Sequence, residues 1–450
     1  MDEQVSAIVI HPALRGAGEA RPPEARLEEA VGLAAAINLN VVETGIISVM
    51  QPRPATLMGG GKVDDIGALL DSYEKRPDLV IIDGALTPVQ HRNLETAWNA
   101  KVLDRTALIL EIFGERAQTA EGRLQVELAH LDYQRSRLVR SWTHLERQRG
   151  GAGFLGGPGE RQIESDRRAL DDKIVRLRKK LEDVKRTRSL QRARRKRAPH
   201  PVVALVGYTN AGKSTLFNRL TKASVKAQDL LFATLDPTMR AIDLPSGVRV
   251  ILSDTVGFIS DLPTQLVAAF RATLEEVLEA DVIVHVRDIA HDDSDAQRDD
   301  VIAVLSDLGI AEDDERPVIE ALNKIDLLAD EDRASIFAIA QTSQGRGVGT
   351  ISAPVRIAVS AQTGEDVDKL LALIEETLTA AHDTVTIVIS ATDGAARAWL
   401  HQRVDVLEET TQDDDVVVVA RLSKKTQGQF AKTFPAARIE DPAEHARHIA

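Results

Sequence analysis

The chain has 450 residues, a net charge of −13, 43% hydrophobic and 28% charged residues, and no cysteine. That length leaves room for about three domains with separate cores, and the lack of cysteine excludes a disulfide framework and thiolate-ligated metal or iron–sulfur sites. No apolar run approaches the ~20 residues of a membrane span and the acidic start, Met1-Asp2-Glu3, is no secretory leader, so the expected location is the cytoplasm.

Residues 1–118 alternate apolar strands with amphipathic stretches. Ala7–Ile10, Val41–Ile47, Leu79–Ile82 and Lys101–Asp104 read as strands, and Glu24–Ile37 and Pro88–Trp98 as helices. Such alternation predicts a small α/β domain on a parallel sheet. Gly59-Gly60-Gly61-Lys62 lacks the spacing of a phosphate loop and reads as a turn before a helix.

Residues 119–199 carry two heptad seams. Leu124, Leu128, Leu131, Leu138, Trp142 and Leu145 step by fours and threes with Arg135 in one polar slot; Ile163, Leu170, Ile174, Leu177, Leu181 and Val184 do the same with Arg167. Two such helices joined by the glycine-rich stretch 150–159 predict a long antiparallel helical hairpin, with Phe154 and Leu155 at its tip. The alternative for the tip is a floppy linker. From Arg161 to His200 there are sixteen Lys and Arg against six Asp and Glu. A basic element on an acidic body suits contact with nucleic-acid phosphates, the alternatives being a solvated helix face or a targeting patch.

Residues 200–381 hold four ordered motifs and, between the first and second of them, a candidate switch segment. Gly207-Tyr208-Thr209-Asn210-Ala211-Gly212-Lys213-Ser214 follows the apolar run 202–206 and opens a helical pattern, the order a P-loop needs. Its backbone N–H groups cradle phosphates, Lys213 meets the β- and γ-phosphates, and Ser214 meets Mg²⁺. Phe232-Ala233-Thr234-Leu235-Asp236 is the expected switch I, in which Thr234, with Thr238 in reserve, closes over Mg²⁺ and the γ-phosphate. Asp254-Thr255-Val256-Gly257 places a carboxylate near the metal and a glycine N–H near the γ-phosphate. Asn323-Lys324-Ile325-Asp326 supplies a carboxylate for the guanine N1–H and N2–H₂, and Ser360-Ala361-Gln362 a backbone N–H for guanine O6. The four together predict a GTPase with Lys213, Thr234 and Gly257 as its catalytic set, Ser214 and Thr234 as metal ligands, and GTP and Mg²⁺ bound. Phe258 stands where many GTPases carry a water-orienting glutamine, so slow intrinsic turnover is expected.

Residues 382–450 read as a small α/β domain: strands at Thr384–Ile389 and Val416–Leu422, a helix over Gly394–Leu407, and a solvated acidic turn at 413–415. No chemistry is legible there.

The motifs also carry a resemblance. Gly61-Lys62-Val63, Asp83–Leu94, Val102–Thr106, Gly156–Glu160 followed by Glu164–Arg168, and the loop Gly207–Ser214 resemble the HflX family of ribosome-associated GTPases. The match covers nearly the whole chain and is weakest after residue 381. It departs at the tip, where Phe154-Leu155-Gly156-Gly157 precede Pro158-Gly159 and many members carry an arginine, and at Arg161, where many carry threonine. The resemblance implies a factor that binds the large ribosomal subunit and its rRNA, sets the hairpin tip near the peptidyl-transferase centre and splits stalled ribosomes under stress; a monomer is expected, though no motif identifies the oligomeric state. Resembling GTPases with asparagine at the position of Asn210 use it to help hold K⁺; a loop asparagine tolerating an awkward backbone angle is the alternative. Two further functional readings stay open, a GTPase acting in large-subunit assembly or quality control, and a regulatory switch whose hairpin docks a protein.

Overall fold

The computed structural model describes residues 4–14, 21–148, 158–195, 200–222, 231–232, 234–235, 238–261, 274, 276–310, 314, 316–343, 349–380, 383–412, 414–422 and 424–440. The first unit is a parallel sheet in the order β2-β1-β3-β4, with β1 at Ser6–Leu14, β2 at Asn40–Val49, β3 at Leu79–Ile82 and β4 at Lys101–Asp104. Period-two alternation divides its core between two faces. Ile8, Ile10, Val80, Ile82 and Val102 pack under α2 (Gly60–Ser72) and α3 (Pro88–Trp98), where Trp98 is fully buried. Ala7, Val9, Leu79 and Ile81 face α1 (Pro23–Ala36) and α4 (Arg105–Arg116).

Helices α5 (Ala120–Gln148) and α6 (Pro158–Arg195) form the hairpin. Its described seam is Leu124, Leu128 and Leu131 against Leu170, Ile174 and Leu177, as the heptads require. The polar slot at Arg135 is filled by ion pairs to Asp132 (3.0 Å) and Asp171 (3.5 Å). Phe154, Leu155 and the rest of 150–157 lie outside the described residues, as do the side chains of Leu138, Trp142, Leu145 and Ile163. The hairpin is fastened to the sheet at Asp104. One carboxylate oxygen accepts from Tyr133 Oη (2.8 Å) and from the Ala107 N–H that it caps (2.8 Å); the other accepts from Arg137 (2.7 Å).

The central unit is a six-stranded sheet, β10-β9-β8-β5-β7-β6, parallel except where β6 (Thr238–Asp243) runs against β7 (Arg249–Asp254). The others are β5 (Val202–Val206), β8 (Val282–Asp288), β9 (Val318–Asn323) and β10 (Val355–Ala358). One face packs on α7 (Lys213–Thr221) and on the helix Val367–Ala380. The other face, through Ala204, Val206, Ile283, Phe232 and Phe258, joins the α1/α4 side of the first sheet in one contiguous apolar cluster.

The last sheet is antiparallel, β12-β13-β11-β14, with β11 at Asp383–Ser390, β12 at Asp405–Gln412, β13 at Asp415–Leu422 and β14 at Arg438–Glu440. The helix expected over Gly394–Leu407 ends at Arg403. Val404 turns extended, and residues 405–412 pair with β13, leaving Leu407 exposed. The Thr410-Thr411 pair favours a strand. Sequence reading also missed α4, the helix Lys424–Thr433 and β14, and Gly60–Lys62, expected as a turn, form the first turn of α2.

Asp104 serves two roles where Asp393, which caps the helix Gly394–Arg403 by one bond from Ala396 N–H (2.9 Å), serves one. Asp393→Ala is expected to cost about 1 kcal/mol, and Asp104→Ala roughly 3 kcal/mol, because it also strands the Tyr133 and Arg137 donors. Native-state hydrogen exchange at the two capped helices measures both; equal losses would show that the hairpin is not fastened at Asp104.

Candidate functional site

The site lies at the carboxyl ends of β5, β7, β9 and β10, where an open α/β sheet binds ligands. Between β5 and α7, Gly207 (φ 151°) and Gly212 (φ 93°) are required glycines. A Cβ on Gly207 would lie 2.2 Å from the Val286 carbonyl oxygen, and one on Gly212 2.3 Å from Asn323 Nδ2. Asn210 is left-handed (φ 60°), the awkward backbone angle weighed for it above. The loop therefore curls into a cradle of N–H groups ending on a helix N-terminus.

Lys213 is buried inside that cradle, its Nζ donating to the carbonyls of Gly207 (3.0 Å) and Tyr208 (2.7 Å). Burial pulls its pKa down to about 8, with Asp254 opposing. The Asp254 carboxyl, fully buried, is pushed above its usual range by burial, opposed by Lys213 and by hydroxyl donors. Both groups thus lean toward neutral forms, and phosphate oxygens beside the lysine and a divalent cation beside the carboxylate would reverse both shifts.

Ser214 Oγ, Thr234 Oγ1 and Asp254 Oδ2 form a triangle with edges of 2.8, 2.8 and 3.0 Å. Octahedral Mg²⁺, with oxygens at about 2.0–2.1 Å, needs neighbouring ligands ~2.9 Å apart. Asp254 Oδ1 is buried without a hydrogen-bond partner. Three hard oxygens at that spacing, with a spare buried acceptor beside them, fit the ion. Thr234 stands in this triangle; Thr238 is the first residue of β6, paired with Asp254 across the ladder. Ala233 and Asp236 lie outside the described residues, and the side chains of Phe232 and Leu235 are core.

After Asp254 the chain passes through buried Thr255, whose Oγ1 donates to Leu205 O (2.6 Å), and Val256 to Gly257. There it closes against the loop. Thr209 N–H donates to Phe258 O (2.7 Å) and Phe258 N–H to Gly207 O (3.1 Å). A Cβ on Gly257 would lie 2.9 Å from Thr209 Cα and 3.1 Å from Lys213 Nζ, so only glycine fits. The Phe258 ring is fully buried and has no polar atom to offer a water molecule.

The other end joins two loops. Asn323 Nδ2 donates to Ala211 O (2.8 Å), and its Oδ1 accepts from Ala361 N–H (2.9 Å). Ser360 Oγ donates to Asp326 Oδ1 (2.5 Å), leaving the second carboxylate oxygen for a base edge. Lys324, left-handed at φ 69°, pairs with Asp288 (2.7 Å); Ile325 is buried, and Gln362 is exposed. Sequence reasoning missed Arg219, which holds the carbonyls of Ala361 (2.6 Å) and Gln362 from α7. No motif marks it. Tyr208 was expected among the nucleotide contacts; its backbone belongs to the loop, but its hydroxyl points into the first sheet domain, meeting Glu29 (2.5 Å) and Arg21 (2.9 Å). Burial and the Glu29 charge hold that phenol well above its ordinary pKa, so it stays protonated.

Comparison with known proteins places these units in order. The chain matches models described as GTP-binding GTPase N-terminal over residues 24–114, GTP-binding GTPase Middle Region over 116–195, 50S ribosome-binding GTPase over 202–324 and HflX C-terminal domain over 350–438. It is 48% identical to the GTPase HflX of Magnetococcus marinus, over 90% of this chain and 89% of that protein. It is 41% identical to the GTPase HflX of Escherichia coli, over 87% and 88%. Against that of Caldanaerobacter subterraneus it is 43% identical, over 82% and 81%.

Two outcomes follow from the site. Asp326→Asn is expected to lower the preference for GTP over ATP by on the order of 10³-fold or more, since the amide accepts where it should and donates where it should not; competition binding with both nucleotides checks it. Lys213, at a pKa of about 8 in the free protein and higher beside phosphates, takes up a proton on binding. Affinity for GTP should therefore stay level up to pH 8 and fall above it, with a log–log slope approaching −1. Lys213→Arg, charged throughout, should flatten that slope over pH 7 to 9.

Proposed function

The chain belongs to the HflX family of GTPases, and from that premise we propose that it binds the large ribosomal subunit in its GTP form and splits stalled ribosomes. In this reading the backbone N–H groups of 207–214 and Lys213 hold the phosphates, while Ser214 and Thr234, with Asp254 beside them, hold Mg²⁺. The ion neutralises phosphate charge when bound. Gly257 N–H meets the γ-phosphate, the Asp326 carboxylate reads the guanine N1–H and N2–H₂, a backbone N–H of 360–362 meets O6, and Asn323 fastens that loop to the P-loop. Thr234 and Gly257 let go once the γ-phosphate leaves. Intrinsic hydrolysis is slow because the Phe258 ring cannot orient water, and the ribosome accelerates it. The factor works as a cytoplasmic monomer, and K⁺ beside Asn210 is part of the same reading.

The observation that carries the ribosomal reading is the hairpin. The hairpin, with helices of 29 and 38 residues, is fastened to the first sheet domain at Asp104, and its second helix is rich in lysine and arginine. Aromatic residues are only 3% of the chain, so affinity for rRNA rests on salt-sensitive phosphate contacts more than on base stacking. The matched model's description, 50S ribosome-binding GTPase, agrees with that target.

Sedimentation of intact ribosomes with the protein and a non-hydrolysable GTP analogue should yield separated subunits; ribosomes that stay whole while free large subunits bind would favour the assembly reading instead. Neutralising Arg192, Arg194, Arg195 and Arg197 should weaken subunit binding and flatten its salt dependence, each lost contact removing roughly 0.9 from the log–log slope. An unchanged slope would favour a hairpin that docks protein.

A further inference from the structure

Every segment that would answer to a γ-phosphate touches the first sheet domain. The loop does so through Tyr208, whose hydroxyl donates to Glu29 Oε2 (2.5 Å) and accepts from Arg21 (2.9 Å) and from the Ser260 N–H (2.8 Å). The segment before Thr234 does so through Phe232, left-handed at φ 57°, whose ring meets Phe113 of α4 edge-on with centroids 4.7 Å apart. The segment after Gly257 does so through Ser260 and Asp261. Ser260 Oγ donates to Glu29 Oε1 (2.9 Å), Arg26 Nη1 reaches Ser260 Oγ (3.0 Å), and Arg26 pairs with Asp261.

Arg105 closes this set. Its Nη1 donates to Asp83 Oδ1 (2.6 Å); its Nη2 faces Glu29, the Ser260 carbonyl (3.1 Å) and Ser260 Oγ (2.9 Å). Asp83 in turn meets His11 Nδ1 (2.8 Å), which fixes the guanidinium from the sheet side. Arg105, Asp83, His11 and Ser260 are buried, and the Glu29 side chain is 9% exposed. Arg105 is also the residue next to Asp104, the carboxylate that grips Tyr133 and Arg137 of the hairpin. Gly257, three residues before Ser260, lies so near Lys213 that a Cβ there would sit 3.1 Å from its Nζ. A phosphoryl group drawn between Lys213 and the Gly257 N–H therefore acts on a segment whose other end is bonded to Arg105.

We propose that Arg105 is the coupling residue of this protein: it senses the position of residues 257–261 through Ser260 and passes it, by way of Asp104, to helix α5 of the hairpin. This rests on the reading that residues 207–214 bind GTP, and adds to it the route by which the hairpin learns which nucleotide is bound. A buried guanidinium suits the task because its fork holds two carboxylates and a carbonyl at fixed angles, so Ser260 cannot shift without turning it. By linkage, whatever the nucleotide does to the hairpin the hairpin does to the nucleotide.

The test needs no ribosome. Hydrogen–deuterium exchange of the full chain is read at the amides of 124–137 with GDP and with a non-hydrolysable GTP analogue, each shown to saturate by titration with a fluorescent nucleotide. Wild type should exchange these amides at rates differing at least about fivefold between the two nucleotides, the low end of ordinary allosteric coupling. Ser260→Ala, which removes the hydroxyl that Arg105, Arg26 and Glu29 share, should bring the difference under about twofold on the same scale. The double variant Tyr133→Phe, Arg137→Gln cuts the route at its far end and should erase the difference in α5 while preserving it in residues 257–261. Wild-type α5 amides indifferent to a saturating analogue overturn the proposal, as does either variant keeping the full wild-type difference; should Ser260→Ala fail to fold, the double variant alone decides. An analogue that does not bind overturns the nucleotide assignment and the coupling with it, and the titration identifies that case. A protein that couples normally yet leaves ribosomes whole refutes only the ribosomal reading.

Discussion

Burying the Glu29 carboxylate between two domains costs several kcal/mol of solvation, and only a full complement of donors offsets it. The complement is present: Tyr208 and Ser260 from the nucleotide-bearing sheet, Arg21 and Arg105 from the first one. Two of the donors share the domain of Glu29 and two come from the other, so the set is complete only when both domains are in place. Removing one leaves a charge stranded in low dielectric, a heavier loss than the single bond. The apolar cluster around it, from Ala30 and Phe113 to Val206 and Phe258, supplies attraction without direction. The buried charges supply the direction, admitting one orientation of the two sheets.

The same junction explains a residue that looks out of place in a hydrolase. Phe258 gives its backbone to a bridge with Tyr208 and its ring to the cluster shared by both domains. A glutamine there would put an amide into an apolar interior without partners. The position where other GTPases orient water is here committed to joining domains.

Much of this is legible in the sequence because the chemistry is local. A P-loop needs its glycines and lysine at fixed offsets, and Gly207, Gly212, Lys213 and Ser214 stand accordingly in the folded chain. Heptads announce a hairpin for the same reason, since the seam recurs every three or four residues. What escapes is non-local. Glu29 and Arg219 sit in unremarkable helical stretches, Arg105 stands in a segment marked only by resemblance, and the importance of all three comes from partners up to 231 residues away. Tyr208 escapes otherwise: the motif fixes its backbone and says nothing of where the side chain turns. The strand Asp405–Gln412 is hidden by apolar residues that fit a helical period as well as a β one, and pairing with β13 decides between them.

The contiguous cluster has a bearing on how the chain is made. The α1/α4 face of the first sheet is formed once Phe113 has been synthesised, yet the cluster that buries it is completed by residues as late as Ile351. At ribosomal elongation rates of about 5–20 residues per second, the roughly 240 residues between them take about 12–48 s to appear. For that interval a nascent domain with a finished sheet displays Leu33, Leu108 and Ile112 to solvent, together with a Glu29–Arg105 ion pair that still lacks its Tyr208 and Ser260 partners. Such a surface is of the kind holdase chaperones act on, and synonymous codons that slow translation between 114 and 351 would lengthen its exposure.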